Sequence, residues 1–163
     1  MKKKSIWTFV LAVCLIVPMM FMLTACGNKT ISEKGKTYSV ANKQTDITFN
    51  WGSDKDAILE ADGFLTEDSA KVPYSTFIIA FDENGGVTIS FGGRSDTGKF
   101  YVINGNNYIE FYGSKEDAEN KEHRLTMEYL GAEYKFSADK KFITVRSQLS
   151  DESSVVMKLS ANV

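Results

Sequence analysis

The residues with the most evident capacity for chemistry form a run that resembles a phosphate-binding loop, Gly93–Lys99 (GRSDTGK). Such a loop cradles phosphates with backbone N–H groups and a lysine, and the next residue, Ser or Thr, binds magnesium. Here the next residue is Phe100, and residues 100–103 (FYVI) are typical of a strand, whereas a phosphate loop needs a helix to follow. We therefore interpret the run as a hairpin connection and expect no nucleotide site.

Acidic residues and the single histidine are the other candidates for metal or catalytic chemistry. A calcium loop starting at Asp54 needs an oxygen ligand at its fifth position and glycine at its sixth, but these are Ile58 and Leu59. His123 has no second histidine to share a zinc ion or to serve a nucleophile, and no Gly-x-Ser-x-Gly turn is present. Carboxylate pairs stay open, because three-dimensional structure sets their spacing. We expect a protein that is not an enzyme and has no cofactor or metal.

Aromatic residues at alternating positions are candidates for lining an apolar pocket, because alternate side chains of a strand share one face. The candidate lining residues are Phe77, Phe91, Phe100, Phe111, Tyr129, Tyr134 and Phe136. A barrel of about eight strands leaves an interior that side chains of this size can fill. We favour a packed interior, and an aromatic-walled pocket that opens at one end for a small apolar ligand is the alternative.

These aromatic residues must be positioned by strands, because the chain alternates with period two from Lys36 onward. The clearest hairpin spans residues 75–91 around the turn-forming run 82–86 (DENGG), and a second joins residues 98–103 to 107–112. Further strands are predicted at residues 37–40, 46–51, 125–129, 134–136, 143–145 and 155–159. Because the hairpins follow one another, we predict an all-β fold, a small antiparallel up-and-down β-barrel of about eight to ten strands, rather than a sandwich.

Two segments break the alternation. Residues 53–63 (SDKDAILEADG) predict one short helix, with Ser53 as its N-cap and Gly63 at its end. Residues 114–124 (SKEDAENKEHR) are polar on every side, which favours a solvated loop or a single exposed turn over a packed helix.

The first 25 residues have the layout of an export signal. Three lysines at positions 2–4 precede an apolar run, residues 7–23, that Pro18 interrupts. Leu23, Thr24, Ala25 and Cys26 then match all four positions of a lipobox, so the segment resembles the signal peptides of bacterial lipoproteins. The resemblance implies cleavage before Cys26, a diacylglyceryl group on the Cys26 sulfur, and often an acyl chain such as palmitate on the new amine.

This resemblance divides the chain into a signal peptide (1–25), a lipidated tether (26–35) and a barrel domain (36–163). Three of the 19 Lys and Arg lie in residues 1–25, so residues 26–163 carry 16 of them against 21 Asp and Glu, a net charge of −5. An acidic chain argues against a nucleic-acid partner. Cys26 is the only cysteine after cleavage, so no disulfide forms within the chain and the core alone must stabilise the fold.

Four short patterns along the barrel region carry a second resemblance. They are Gly35–Tyr38 (GKTY), Phe81–Val87 (FDENGGV), Gly98–Gly105 (GKFYVING) and Tyr134–Asp139 (YKFSAD). Together they resemble the lipocalin-like domains of small bacterial lipoproteins. The resemblance implies a small antiparallel barrel and no particular ligand, and the Gly-x-Trp signature of animal lipocalins is absent.

The sequence therefore predicts a lipid-anchored protein on the extracytoplasmic face of the cell membrane, of the kind found in Gram-positive bacteria. We expect a binding module for a small apolar or amphipathic ligand. The alternative is a surface-interaction or envelope-structure protein with a filled barrel, whose partner is an envelope protein. We expect a monomer that contacts the membrane through the lipid on Cys26.

Overall fold

The computed structural model describes residues 30–125 and 131–162 as one antiparallel sheet with short helices beside it. The strands are β1 (Thr37–Val40), β2 (Ile47–Asn50), β3 (Ile78–Phe81), β4 (Gly86–Phe91), β5 (Arg94–Ile103), β6 (Ile109–Tyr112), β7 (Ala132–Phe136), β8 (Phe142–Gln148) and β9 (Ser154–Ala161). The helices are α1 (Lys43–Asp46), α2 (Lys55–Ala61), α3 (Glu67–Tyr74) and α4 (Lys115–Asn120). Nine strands in this part of the chain confirm the all-β prediction.

The sheet nearly closes into an eight-stranded barrel. Its strands lie in the order β6-β5-β4-β3-β1-β9-β8-β7, and β2 pairs with β9 beyond the end of β1. The two outer strands approach each other where the Phe136 N–H donates to the Asn107 carbonyl at 2.9 Å. Because neighbours around the ring follow chain order, the connectivity is up-and-down, as predicted.

Alternation along each strand builds the interior. On β7, Ala132, Tyr134 and Phe136 are buried, whereas Glu133 and Lys135 between them are partly or fully exposed. The inward residues of β8 and β9 follow the same rule, from Ile143 to Leu159. Each fully buried side chain of this kind contributes roughly 1.5–3 kcal/mol, so the two-residue period determines which face forms the core.

Helix α2 is shorter than the predicted segment 53–63, and its N-cap differs. Ser53 does not cap the helix, because its hydroxyl donates to Glu152 at 2.6 Å instead. Asp54 takes the cap position without a side-chain hydrogen bond to the helix, and Leu59 is the buried residue. Gly63 follows the helix with a positive φ of 73°, in agreement with its predicted role as the stop.

Helix α3 is absent from the prediction of a single helix and is a correction to it. Thr66 caps it in a reciprocal arrangement with Ser69, and Glu67 and Asp68 stand in the first turn. Pro73 lies inside the helix, in its last turn.

Residues 115–120 form helix α4, where a loop or exposed turn was predicted. Ser114 caps it by accepting a hydrogen bond from the Asp117 N–H at 3.1 Å. Ala118 is its one buried residue, so the contact with the barrel is limited to a small side chain that a search for an apolar stripe overlooks. No helix in the described residues combines the length and apolarity needed to cross a membrane.

Candidate functional site

The two ends of the barrel differ in how they are covered. One end, here the closed end, carries the β3–β4 and β7–β8 turns together with an N-terminal segment, residues 30–36. The other end, here the open end, carries the first residues of β5 and β7 and the last residues of β4 and β8. The described part of the expected tether is therefore packed against the barrel, and its Ile31 N–H donates to the Asp139 carbonyl at 3.0 Å.

Aromatic rings fill the closed end. The ring of Tyr38 meets the rings of Phe81 and Phe136 edge-on, at centroid distances of 5.7 and 5.5 Å. Phe81 lies 5.5 Å from Phe136 and 4.5 Å from Tyr101. Tyr38, Phe81 and Phe136 are each at most 3% exposed, so this end of the interior is packed solid.

A largely buried ion pair covers the closed end of the barrel. The Lys140 ammonium lies 2.6 Å from the Glu33 carboxylate, which also accepts a hydrogen bond from the Tyr101 hydroxyl at 3.3 Å. The Tyr38 hydroxyl donates to the Lys140 carbonyl at 2.8 Å. Burial alone would raise the pKa of Glu33, but hydrogen bonds from Lys140, from its own backbone and from Tyr101 hold that pKa below its ordinary value. Burial, and then the charge of Glu33, raise the pKa of Tyr38 to about 12.

The open end holds a cavity of about 380 Å³. Its apolar lining consists of Tyr74, Phe77, Ile89, Phe91, Ala132 and Met157. Its polar lining consists of Arg94, Ser95, Asp96 and Ser147. Since Phe77, Ile89, Ala132 and Met157 are buried while Phe91, Arg94 and Ser95 are exposed, the cavity has an apolar floor and a mixed rim. The size falls within the range of small-molecule sites, roughly 300–1,000 Å³.

Three aromatic rings line the cavity from its floor to its mouth. Phe91 lies 5.5 Å from both Tyr74 and Phe77, and 38% of Phe91 is exposed, which is unusual for a ring in an otherwise packed cluster. The Thr76 hydroxyl donates to the Pro73 carbonyl at 2.6 Å and accepts from the Gly92 N–H at 2.9 Å. That hydroxyl therefore ties the end of α3 to the β4–β5 turn.

Helix α3 is attached to the barrel wall beside the mouth. The Trp51 indole N–H donates to the Glu67 carboxylate at 2.8 Å, and this hydrogen bond is the largest cause that holds the pKa of Glu67 below its ordinary value. The Trp51 ring stacks on Phe49 at 4.6 Å, and Phe49 meets Tyr74 edge-on at 5.5 Å. This chain of contacts connects the first turn of α3 to the ring of Tyr74 in the cavity.

The first residues of β5 bring polar side chains to the cavity, and a β-bulge follows them in the strand. Val87 pairs with Lys99 and Ile89 pairs with Asp96, so β5 has one more residue than β4 in this interval. Gly98 lies in the bulge with φ of 70°, a conformation that glycine adopts without strain. Because directly paired residues share a face, Asp96 lies on the face of Ile89, and Arg94 on the face of Phe91.

The bulge also explains the resemblance to a phosphate loop. Gly93 belongs to the two-residue β4–β5 turn, in which Gly92 and Gly93 both have positive φ, and Gly98 belongs to the bulge. The glycine spacing thus arises from a turn and a bulge of a strand, and no helix follows.

The predicted lining residues separate into three groups. Phe77 and Phe91 line the cavity. Phe111 and Tyr134 lie deeper, 5.0 Å apart, and Phe136 lies at the closed end. Phe100 does not join them: it pairs with Tyr112, next to inward-facing Phe111, so it is on the outer face near α4. Tyr129 lies outside the described residues, as do Leu23, Thr24, Ala25 and Cys26.

The interior is thus neither wholly filled nor one large pocket. The Tyr134 hydroxyl is buried without a hydrogen-bond partner in the described part of the chain, unlike the Tyr38 and Tyr101 hydroxyls at the closed end. Burial alone raises the pKa of Tyr134. The ring centroid of Phe77, at the cavity floor, lies 6.3 Å from the ring centroid of Tyr134.

Several cavity residues were missed from the sequence. Ile89 and Met157 stand at alternating strand positions and could have been included by the same rule that selected the aromatics. Arg94 and Asp96 were missed because the run 93–99 was interpreted as a hairpin connection, whereas β5 begins at Arg94.

The histidine and the acidic residues of the described ranges do not assemble a metal site. Within residues 30–125 and 131–162, no group of three or more His, Cys, Asp or Glu side chains is arranged to hold an ion. His123 pairs with Asp117 at 2.8 Å on the surface, and that hydrogen bond and charge raise the pKa of His123.

Comparison with known proteins gives no match: no family model matches the chain, and neither a curated protein nor a solved structure does. Any statement about function therefore rests on the cavity and its surroundings.

Proposed function

We propose that the protein is a non-enzymatic binding module that takes a small apolar or amphipathic molecule into the cavity at the open end of the barrel. The observation that carries the proposal is a cavity of about 380 Å³ in a fold whose opposite end is packed solid. The alternative, a filled barrel that acts only through its surface, requires no such cavity.

The exposed ring of Phe91 supports the proposal. An apolar side chain at a cavity mouth gains roughly 25 cal/mol for each Å² that a ligand removes from water. The rings of Tyr74 and Phe77 next to it provide further apolar surface, and the hydrogen bonds of Thr76 tie the end of α3 to the β4–β5 turn beside them. The site is therefore formed before a ligand enters, which lowers the entropic cost of binding.

Native mass spectrometry of the protein purified from its own host under mild conditions tests the proposal. We expect a reproducible additional mass of a few hundred daltons that is lost on denaturation. A bare polypeptide mass, together with no binding of any apolar probe at the cavity, would contradict the proposal and favour the filled-barrel alternative.

The proposal includes an anchor on the extracytoplasmic face of the cell membrane, through lipid on Cys26. Its support is the lipobox resemblance of residues 23–26. Cys26→Ala should prevent both lipid addition and processing, which membrane fractionation and the mass of the chain would report. Normal cleavage and continued membrane association of that variant would refute the anchor and leave the cavity proposal intact.

A further inference from the structure

The charges around the cavity select for a class of ligand, and this inference rests on the function proposed above. The rim of the cavity has two charged lining residues, Arg94 and Asp96. They differ in whether another side chain of the protein neutralises them.

Asp96 is already paired. Its carboxylate lies 3.2 Å from the Lys99 ammonium, and both side chains are about one-third exposed or less, at 32% and 27%. Its charge is therefore compensated within β5, so the carboxylate provides little electrostatic attraction for a cationic group of a ligand.

Arg94 is not paired in this way. Among the described residues, no carboxylate lies within ion-pair distance of its guanidinium. Its cross-strand partner is Phe91, an aromatic ring of the cavity mouth, so the guanidinium and the apolar surface belong to one face of the β4–β5 hairpin. A planar guanidinium with free donors forms charge-assisted hydrogen bonds to carboxylate, sulfonate or phosphate oxygens.

Polar neighbours complete the rim without adding charge. The Ser95 hydroxyl is hydrogen-bonded to the Ser90 hydroxyl at 2.8 Å, and Ser147 donates to the Gly131 carbonyl at 2.9 Å. Since both hydroxyls already have partners inside the protein, Arg94 is the rim group with the most hydrogen-bonding capacity left for a ligand.

We infer that the cavity takes an amphiphile with one apolar body and one anionic head, and that the Arg94 guanidinium binds the head while Phe77, Ile89 and Met157 contact the body. The apolar floor of the cavity matches the apolar body of such a molecule. The cation at the boundary with water matches its anionic head.

Isothermal titration with decanoate and decanol tests the inference, because the two probes share an alkyl chain and differ in the charge of the head. The full chain is placed in phosphatidylcholine nanodiscs, and empty nanodiscs supply the blank for partitioning. We expect decanoate to bind about tenfold more tightly than decanol at neutral pH, and this preference to shrink with added salt, because the rim is exposed.

Arg94→Gln should remove the preference for decanoate. Arg146→Gln is the matched control, because Arg146 is also an exposed strand arginine but lies on the outer face of β8, away from the cavity. We expect R146Q to keep the preference.

Three results would count against the inference. Equal affinity for both probes, or a preference that survives in R94Q, would overturn the role of the anionic head while leaving the cavity as a binding site. Failure of wild-type protein to bind either probe would overturn the proposed function as well.

Discussion

The closed and open ends of the barrel are built from similar residues and arranged differently. Each end gathers a cluster of aromatic rings and a tyrosine deep in the interior. At the closed end the N-terminal segment adds Glu33, which joins Lys140 and Tyr101 in one hydrogen-bonded group. At the open end no segment of the described residues covers the rings in this way, and a cavity of about 380 Å³ remains.

This difference indicates what each end does. A cluster whose polar atoms are all partnered stabilises the fold, because every buried group is compensated. Among the described residues, the open-end cluster has an exposed ring, a cation without an ion-pair partner and a tyrosine hydroxyl without a hydrogen-bond partner, and unmade interactions of this kind are typical of binding sites. The predictions below test this division of stability and binding between the ends.

The largest effect on stability should come from the closed-end rings. Phe136→Ala should lower the free energy of unfolding by about 3–5 kcal/mol, because it leaves a void between Tyr38 and Phe81. Phe91→Ala at the open end should cost only about 1 kcal/mol, since that ring is 38% exposed. Urea unfolding of both variants measures the contrast. Similar losses would mean that the two ends are equally important for stability.

Breaking the ion pair should have the next largest effect. Lys140→Met should cost about 2 kcal/mol, because the Glu33 carboxylate, 11% exposed, loses its strongest partner. Lys99→Met, which removes the partner of the cavity residue Asp96, should cost less than about 1 kcal/mol, because Asp96 is 32% exposed to water. A larger loss from the Lys99 variant would reverse the comparison.

The same ion pair predicts a dependence on pH. The folded-state pKa of Glu33 is below its ordinary value of 4.5, so its contribution is fully present above that pH and is lost as pH falls through the folded pKa. We expect the free energy of unfolding to fall less steeply below pH 4.5 in Glu33→Gln than in wild type. Asp139, whose pKa is also lowered, contributes equally to both proteins. Identical slopes would show that Glu33 keeps its pKa on folding.

Filling the cavity should affect binding more than stability. Ala132 is 3% exposed and lines the floor, so Ala132→Leu should place its added carbons in the cavity. We expect decanol binding to be lost and the free energy of unfolding to change by less than about 1 kcal/mol. Undiminished binding, or a large destabilisation, would indicate that the floor has no free space at this position.

The smallest effect should come from one hydroxyl. Tyr134→Phe should be neutral or stabilise the protein by up to about 1 kcal/mol, because the hydroxyl is buried without a partner. Tyr38→Phe should destabilise by about 1 kcal/mol, because it removes the hydrogen bond to the Lys140 carbonyl. Thermal unfolding of the pair is the measurement, and opposite signs are the expected result.

The features that could be predicted from the sequence are those that repeat over a few neighbouring residues of the chain. The alternation at Phe77, Ile79 and Phe81, and again at Val87, Ile89 and Phe91, was enough to place a hairpin and two cavity rings. Helix α3 carried a cap signal at Thr66, which went unused because the segment shows no clear apolar period and Pro73 lies in its last turn.

Features that depend on distant partners could not be predicted. Glu33 and Lys140 are 107 residues apart, and neither residue carries a sign of the other. One extra residue in β5 puts Phe100 on the opposite face from Arg94 and Asp96, because a shift of one residue exchanges the two faces of a strand. The same alternation rule placed Phe100 inside, although its pairing with Tyr112 puts it outside.

The position of the N-terminal segment at the closed end bears on the route by which a ligand would reach the cavity. Its first described residue, Thr30, lies beside Asp139 and Phe142 at the closed end. Three residues lie between Cys26 and Thr30, so the two Cα atoms are at most about 14 Å apart in an extended chain. A lipid on Cys26, as proposed above, would therefore hold the closed end toward the bilayer and turn the cavity mouth outward. In that arrangement a ligand would arrive through water rather than from the membrane, and its solubility as a single molecule would limit how often the cavity is occupied.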